Sequence, residues 1–138
     1  MMIFLDRQHL GKPNRWNDEG AAKAGMTETY LTSQYIFHAE NHLRFKGFDV
    51  CVLSDGWYKD RHRRVNDYCA DVNCKCVYVA CHINAGNGDY AASFYDHRSA
   101  SGKSLAHSIN VRLLNACPEL KTAKAIAATP DDWTKNAY

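Results

Sequence analysis

The chain has 138 residues, of which 46% are hydrophobic and 23% charged, a composition that is ordinary for a soluble globular protein and suits a domain with a buried core. Its formal net charge of +2 is too small to indicate a nucleic-acid-binding protein. No stretch reaches the ~18 consecutive apolar residues of a membrane span. The opening letters MMIFLDR lack the basic start and cleavage site of a secretory signal, so we expect the protein to be cytoplasmic on synthesis.

The predicted elements alternate between apolar strands and helices along the chain. The first long helix is the clearest, because its 3.6-residue pattern begins after Thr27, a suitable N-cap, and stops at Gly47. Two weaker helical patterns cover residues 60–72 and 101–116. Strands are predicted over residues 1–6, 48–55, 76–82, 90–97 and 123–128.

This alternation predicts an α/β fold in a single domain spanning residues 1–138. Apolar strands separated by helices indicate a twisted, mostly parallel sheet with helices on both faces. The glycine-rich turn before Tyr90 is short enough to join two neighbouring strands as an antiparallel hairpin. We therefore expect the sheet to be mixed.

The cysteines cluster in the middle of the chain, at positions 51, 69, 74, 76, 81 and 117. An even number is compatible with disulfides, but no secretion signal places these cysteines in an oxidising compartment. The spacing C-x4-C-x-C-x4-C also lacks the paired C-x2-C of a zinc ribbon. We therefore predict buried or partly buried free thiols.

Three residues with metal-binding side chains lie where predicted elements end or begin. His9 follows the first strand, Glu28 opens the first long helix, and His82 ends the third strand. Ligands of open α/β sheets bind beyond the carboxyl ends of the strands, and two imidazoles with one carboxylate are a ligand set of catalytic zinc. Each residue alone is commonly a loop, cap or strand-end residue, so only the set of three predicts a metal site.

A rival histidine pair lies on the first helix. His38 and His42 are four residues apart and share a helix face. A zincin has its glutamate directly after the first histidine, where this chain has Ala39. Glu40 projects to another side of the helix, so we predict that the pair is a surface or partly buried polar feature.

The order of these motifs resembles the zinc-dependent N-acetylmuramoyl-L-alanine amidases of the amidase-3 type, which include phage lysins and bacterial autolysins. The family ends its first strand in Asp-Pro-Gly-His, and the letters LDRQH keep Asp6 and His9. Its first-helix glutamate matches Glu28, and its Ser-x-His-x-Asn-Ala matches ACHINA, which contains His82 and Asn84. A further family motif, Thr-Asp followed by Arg and Ala-Asn, matches Ser54, Asp55, Arg61, Val65 and Asn66.

The resemblance implies that His9, Glu28 and His82 bind one Zn²⁺ and that the protein hydrolyses peptidoglycan. The bond cleaved would be the amide between N-acetylmuramic acid and L-alanine, attacked by zinc-activated water. Asn84 would contact the substrate, although asparagine also commonly serves turns. The protein would reach the cell wall only after release from the cytoplasm.

One departure from the family concerns the general base. The family carries a glutamate on a last strand, whereas the acids after Asp96 in this chain are Glu119, Asp131 and Asp132. The chain thus resembles a member shortened at the C-terminus, with an unassigned catalytic base and an unpaired sheet edge that would promote self-association. Two functions stay open, a working amidase and a weakly active or inactive zinc-binding domain that recognises peptidoglycan or a partner. A remoter alternative is a Cys/His metal protein unrelated to cell walls.

Overall fold

The structure, a computed structural model, describes residues 1–7, 9, 14, 18–83, 88–129 and 131. The described ranges contain three helices and parallel sheets, which confirms the predicted α/β class. The chain divides into two compact units, Met1–Gly86 and Asn87–Tyr138. In chain order the elements are β1 (Met2–Asp6), β2 (Ala22–Lys23), β3 (Met26–Thr27), α1 (Glu28–Phe45), β4 (Asp49–Leu53), α2 (Tyr58–Asp71), β5 (Cys76–Ala80), β6 (Tyr90–Asp96), α3 (Ala100–Ala116) and β7 (Thr122–Ala128).

The first unit is built on a parallel sheet with the strand order β4-β1-β5. Asp6 at the end of β1 pairs with Leu53 of β4 and with Ala80 of β5. All three strands therefore end at the same edge of the sheet, which we call the carboxyl edge. The loops that follow β1 and β5 both leave from this edge, so residues far apart in sequence can meet there.

The central strand is buried because helices cover both of its faces. Successive side chains of a strand point to opposite faces, and Ile36 of α1 packs against Ile3 on one face. Val65 of α2 packs against Phe4 on the other. Full burial of such a side chain contributes roughly 1.5–3 kcal/mol, so these contacts fix both helices on the sheet as predicted.

Both ends of α1 follow from local sequence signals. The Thr27 hydroxyl oxygen accepts a hydrogen bond from the backbone N–H of Tyr30 at 3.2 Å, as an N-cap does. At the other end Gly47 has φ 84°, and Phe48 N–H donates to the carbonyl oxygen of Leu43 at 3.1 Å. This glycine-dependent ending is a Schellman motif, and the predicted bounds of the helix are confirmed.

The second unit contains β6, α3 and β7. β6 pairs with β7 in parallel over all seven residues of each strand. The predicted hairpin is therefore wrong, because β6 takes its partner from beyond a crossover helix, as parallel strands require. A glycine-rich turn before a strand does not by itself decide which strand becomes the neighbour.

The cysteine prediction is wrong for one pair. Cys69, near the end of α2, and Cys76, the first residue of β5, form a disulfide. The short turn between helix and strand brings the two Cα atoms to 6.4 Å, within the usual disulfide range. The four other cysteines are free and partly buried, as predicted: Cys51, Cys74, Cys81 and Cys117.

Across the ranges that the structure describes, none of the helices has both the length and the apolarity needed to cross a membrane.

Candidate metal centre

His9, Glu28 and His82 meet at the carboxyl edge of the first unit's sheet. One nitrogen or carboxylate oxygen of each lies within 4.8 Å of the others. The three residues come from the loop after β1, the first turn of α1 and the segment after β5. The structure thus brings together all three residues that the sequence predicted as ligands, in a group that could hold a metal ion.

The Glu28 carboxylate lies between the two imidazoles. Its Oε1 is 2.9 Å from His82 Nδ1, and its Oε2 is 3.0 Å from His9 Nε2. The two rings stand nearly perpendicular, with centroids 5.4 Å apart. Backbone N–H groups complete the carboxylate's surroundings, since Ile83 donates to Oε1 and Ala21 donates to Oε2. Both oxygens are therefore oriented before any ligand arrives.

The charge of Glu28 is stabilised despite its burial. Burial opposes ionisation, but contacts with His82 and His9 and hydrogen bonds from the backbone of Ile83 and Ala21 outweigh it and hold the pKa of Glu28 well below its usual value. A metal ligand must be deprotonated. Glu28 therefore presents the anionic form that a cation needs at neutral pH.

The site opens to solvent on one side. The His82 side chain is 45% exposed, whereas those of His9 and Glu28 are 12% and 5% exposed. Solvent would therefore reach the group past His82. The neighbouring Cys81 thiol stays protonated at neutral pH, because burial, followed by the charge of Asp6, raises its pKa.

A small hairpin places the loop that contacts Glu28. β2 and β3 pair antiparallel around Ala24 and Gly25, which both have positive φ, as a two-residue hairpin turn requires. At its base the Glu28 N–H donates to the Ala21 carbonyl oxygen at 2.7 Å. This hairpin thus brings Gly20 against the metal-binding group.

Asp18 contacts His9 on the side of the ring away from Glu28. Its Oδ2 lies 3.7 Å from His9 Nδ1, and its Oδ1 accepts a hydrogen bond from Gly20 N–H at 3.1 Å. A carboxylate near one ring nitrogen, with the other nitrogen facing the ion, is the usual arrangement around metal-binding histidines. His9 itself has φ 65°, a conformation that costs of order 1–3 kcal/mol and clusters at functional sites. Sequence reasoning did not single out Asp18.

A buried ion pair holds the strand that leads to His9. Asp6 and Arg61 are both 0% exposed, and Arg61 Nε lies 3.1 Å from Asp6 Oδ2. Tyr78 of β5 donates its hydroxyl to the same carboxylate oxygen. Asp6, Arg61 and Tyr78 therefore join β1, α2 and β5 close to the carboxyl edge.

Gly20 provides a sharp test of the geometry. It has φ +73°, and a Cβ atom there would lie 2.6 Å from Glu28 Oε2 and 2.9 Å from His9 Cδ2. We expect Gly20→Ala to lower the affinity of the group for a divalent metal ion by roughly 10- to 100-fold, as changes to groups that position ligands do. The measurement is competitive titration with a chromophoric chelator.

Gly25→Ala is the matched control for this substitution. Gly25 has φ +77°, but no atom lies within 4 Å of the added Cβ. Both variants carry the same type of backbone strain, and only Gly20→Ala displaces ligand atoms. Equal metal affinity in the two variants would contradict this role of Gly20.

The other residues singled out by the sequence have different outcomes. His38 and His42 are exposed on α1, as predicted. Asn84 and Asp132 fall outside the described residues. Glu119 and Asp131 belong to the second unit.

Comparisons with protein-family models, with curated proteins and with solved structures gave no match. They identify no family for this chain. The similarity to amidases therefore rests on the sequence motifs.

Proposed function

We propose that this protein is a zinc-dependent peptidoglycan amidase that hydrolyses the bond between N-acetylmuramic acid and L-alanine. The observation that carries the proposal is the convergence of His9, Glu28 and His82 at the carboxyl edge of a parallel sheet. The motif order that resembles amidase-3 enzymes supplies the substrate class. The cell wall would be reached after the protein is released from the cytoplasm.

The donor set fits zinc. Two imidazole nitrogens and one carboxylate oxygen, with one coordination position left for water, are typical of catalytic zinc sites. Glu28 would contribute a negatively charged oxygen, while His9 and His82 would contribute imidazole nitrogens. The same three donors also occur in non-haem iron sites, so the metal must be identified by measurement.

The chain's own residues would orient the reactants. Zinc, when bound, polarises an amide carbonyl and lowers the pKa of water. Asp18 and the backbone contacts of Glu28 would keep the ligands in place, which avoids reorganisation during the reaction. The half-exposed His82 marks the side from which the substrate amide would approach.

A second candidate function is a zinc-binding domain that recognises peptidoglycan or a partner with little or no turnover. Positioned general acid–base groups are worth typically ~10²–10⁴-fold in rate. Within the described part of the site, Glu28 faces both histidines and would be a ligand, and Asp18 lies on the far side of His9. Neither carboxylate is placed as an additional base, which favours this alternative.

One experiment separates the two functions. We expect protein purified without added metal to contain about one zinc per chain, as such sites do, and to release new amino groups from purified peptidoglycan. Elemental analysis and amine labelling measure the two quantities. Zinc binding with retention on insoluble peptidoglycan but no amine release would favour the recognition domain, and iron in place of zinc would overturn the proposed cofactor.

A further inference from the structure

Three cysteine sulfurs meet at the start of β5. Cys69 and Cys76 form the disulfide, and the free Cys74 Sγ lies 3.4 Å from Cys76 Sγ. All three residues are partly buried. The first and last residues of β5 are about 13 Å apart, at ~3.3 Å per residue. This cluster therefore lies at the opposite end of the strand from His82.

We propose that Cys69, Cys74 and Cys76 form a thiol–disulfide exchange site. Exchange requires a thiolate to reach a disulfide sulfur directly, and the Cys74 sulfur is already in contact with the sulfur of Cys76. The site is independent of the metal centre and of the proposed amidase function. Its external ligands would be small thiols and disulfides.

The step is balanced without an added oxidant. The Cys74 thiolate attacks Cys76 Sγ, a Cys74–Cys76 bond forms, and the Cys69–Cys76 bond breaks. The electron pair of the broken bond leaves on Cys69 Sγ, which then takes up a proton. One disulfide and one thiol are present before and after the step.

The exchange changes what the disulfide connects. Cys69 belongs to α2, whereas Cys74 and Cys76 flank Lys75 at the start of β5. The Cys69–Cys76 bond ties the end of α2 to β5, and the Cys74–Cys76 bond would be confined to one short segment. Exchange therefore releases the covalent tie to α2 and makes Cys69 available to small disulfides.

The sequence makes the two disulfide isomers distinguishable. Cleavage after Lys75 and before Asp71 places Cys69, Cys74 and Cys76 on three separate peptides. The full chain is equilibrated in a glutathione redox buffer, quenched with acid, labelled with a maleimide and mapped by mass spectrometry. In protein that still contains a disulfide, we expect part of the maleimide label on Cys74 and part on Cys69. The label should reach this distribution faster as pH rises, because the thiolate is the nucleophile.

Two variants make the result decisive. In Cys74→Ser the label on Cys69 should disappear from disulfide-containing protein, because the attacking thiol is gone. Cys117→Ser removes a free thiol in the second unit and should leave the division of label unchanged. Label on Cys74 alone at every pH would overturn the proposal. The proposal would also be overturned if Cys69, Cys74 and Cys76 all remained free thiols in the presence of glutathione disulfide. A second bound zinc ion that is lost in Cys74→Ser would overturn it as well.

Discussion

Replacing Arg61 with methionine is expected to lower the free energy of unfolding by about 3–5 kcal/mol, the range found when one partner of a buried ion pair is removed. Arg61 and Asp6 are completely buried, so the Asp6 carboxylate would lose its cation without gaining water. Tyr78 would still donate to Asp6, but a neutral hydroxyl does not replace the charge. Urea unfolding followed by circular dichroism, with a chelator present, measures the change.

Arg64→Met is the matched control on the same helix. Arg64 pairs with Asp55 at 3.1 Å, but the two side chains are 42% and 79% exposed. Surface pairs are typically worth less than about 1 kcal/mol, so this variant should unfold almost like the parent. If Arg61→Met and Arg64→Met lowered the free energy of unfolding equally, burial of the Asp6–Arg61 pair would not explain its contribution to stability.

The double variant Asp6→Leu/Arg61→Met extends this test. Removing both charges leaves no unpaired ion, and well-packed apolar replacements of buried pairs are often neutral or stabilising. We therefore expect the double variant to recover much of the stability lost by Arg61→Met. Further loss instead would show that the pair contributes through more than mutual neutralisation.

The features that the sequence predicted are those set by local signals or by a general rule of topology. Thr27 and Gly47 bounded α1 because an N-cap and a left-handed C-terminal residue act within one helical turn. His9 and His82 were predicted to meet because parallel strands place their carboxyl ends at one edge. Neither prediction required a distance between side chains.

The features that the sequence did not predict depend on tertiary geometry. The partner of β6 is β7, and no sequence signal before Tyr90 specifies that choice. The contact between Asp18 and His9 depends on how the β2–β3 hairpin folds back onto Glu28. The Cys69–Cys76 disulfide depends on the turn that follows α2. Each of these three contacts is determined by the folded chain, because the same local sequence is compatible with other partners.

Replacing Glu28 with glutamine is expected to abolish both zinc binding and amine release from peptidoglycan. The substitution preserves the shape of the side chain but removes the negative charge of the proposed ligand set. The new amide group would also donate hydrogen bonds where Glu28 now accepts them from Ile83 or Ala21. Amine release should fall to the level of metal-depleted parent protein, measured beside the zinc content of the same sample.

Glu40→Gln is the control for this variant, because Glu40 lies on the same helix and pairs with Arg44 at the surface. It should retain both zinc and activity. His82→Ala provides an independent test, since the His82 side chain is 45% exposed and its loss removes a proposed ligand with little effect on the core. Both Glu28→Gln and His82→Ala should lose zinc while keeping the parent circular dichroism spectrum.

If either variant retained a full complement of zinc, the ion would lie elsewhere in the protein. If both lost zinc yet released amines at the parent rate, the hydrolysis would not depend on this centre, and the amidase proposal would fail while the metal site stood.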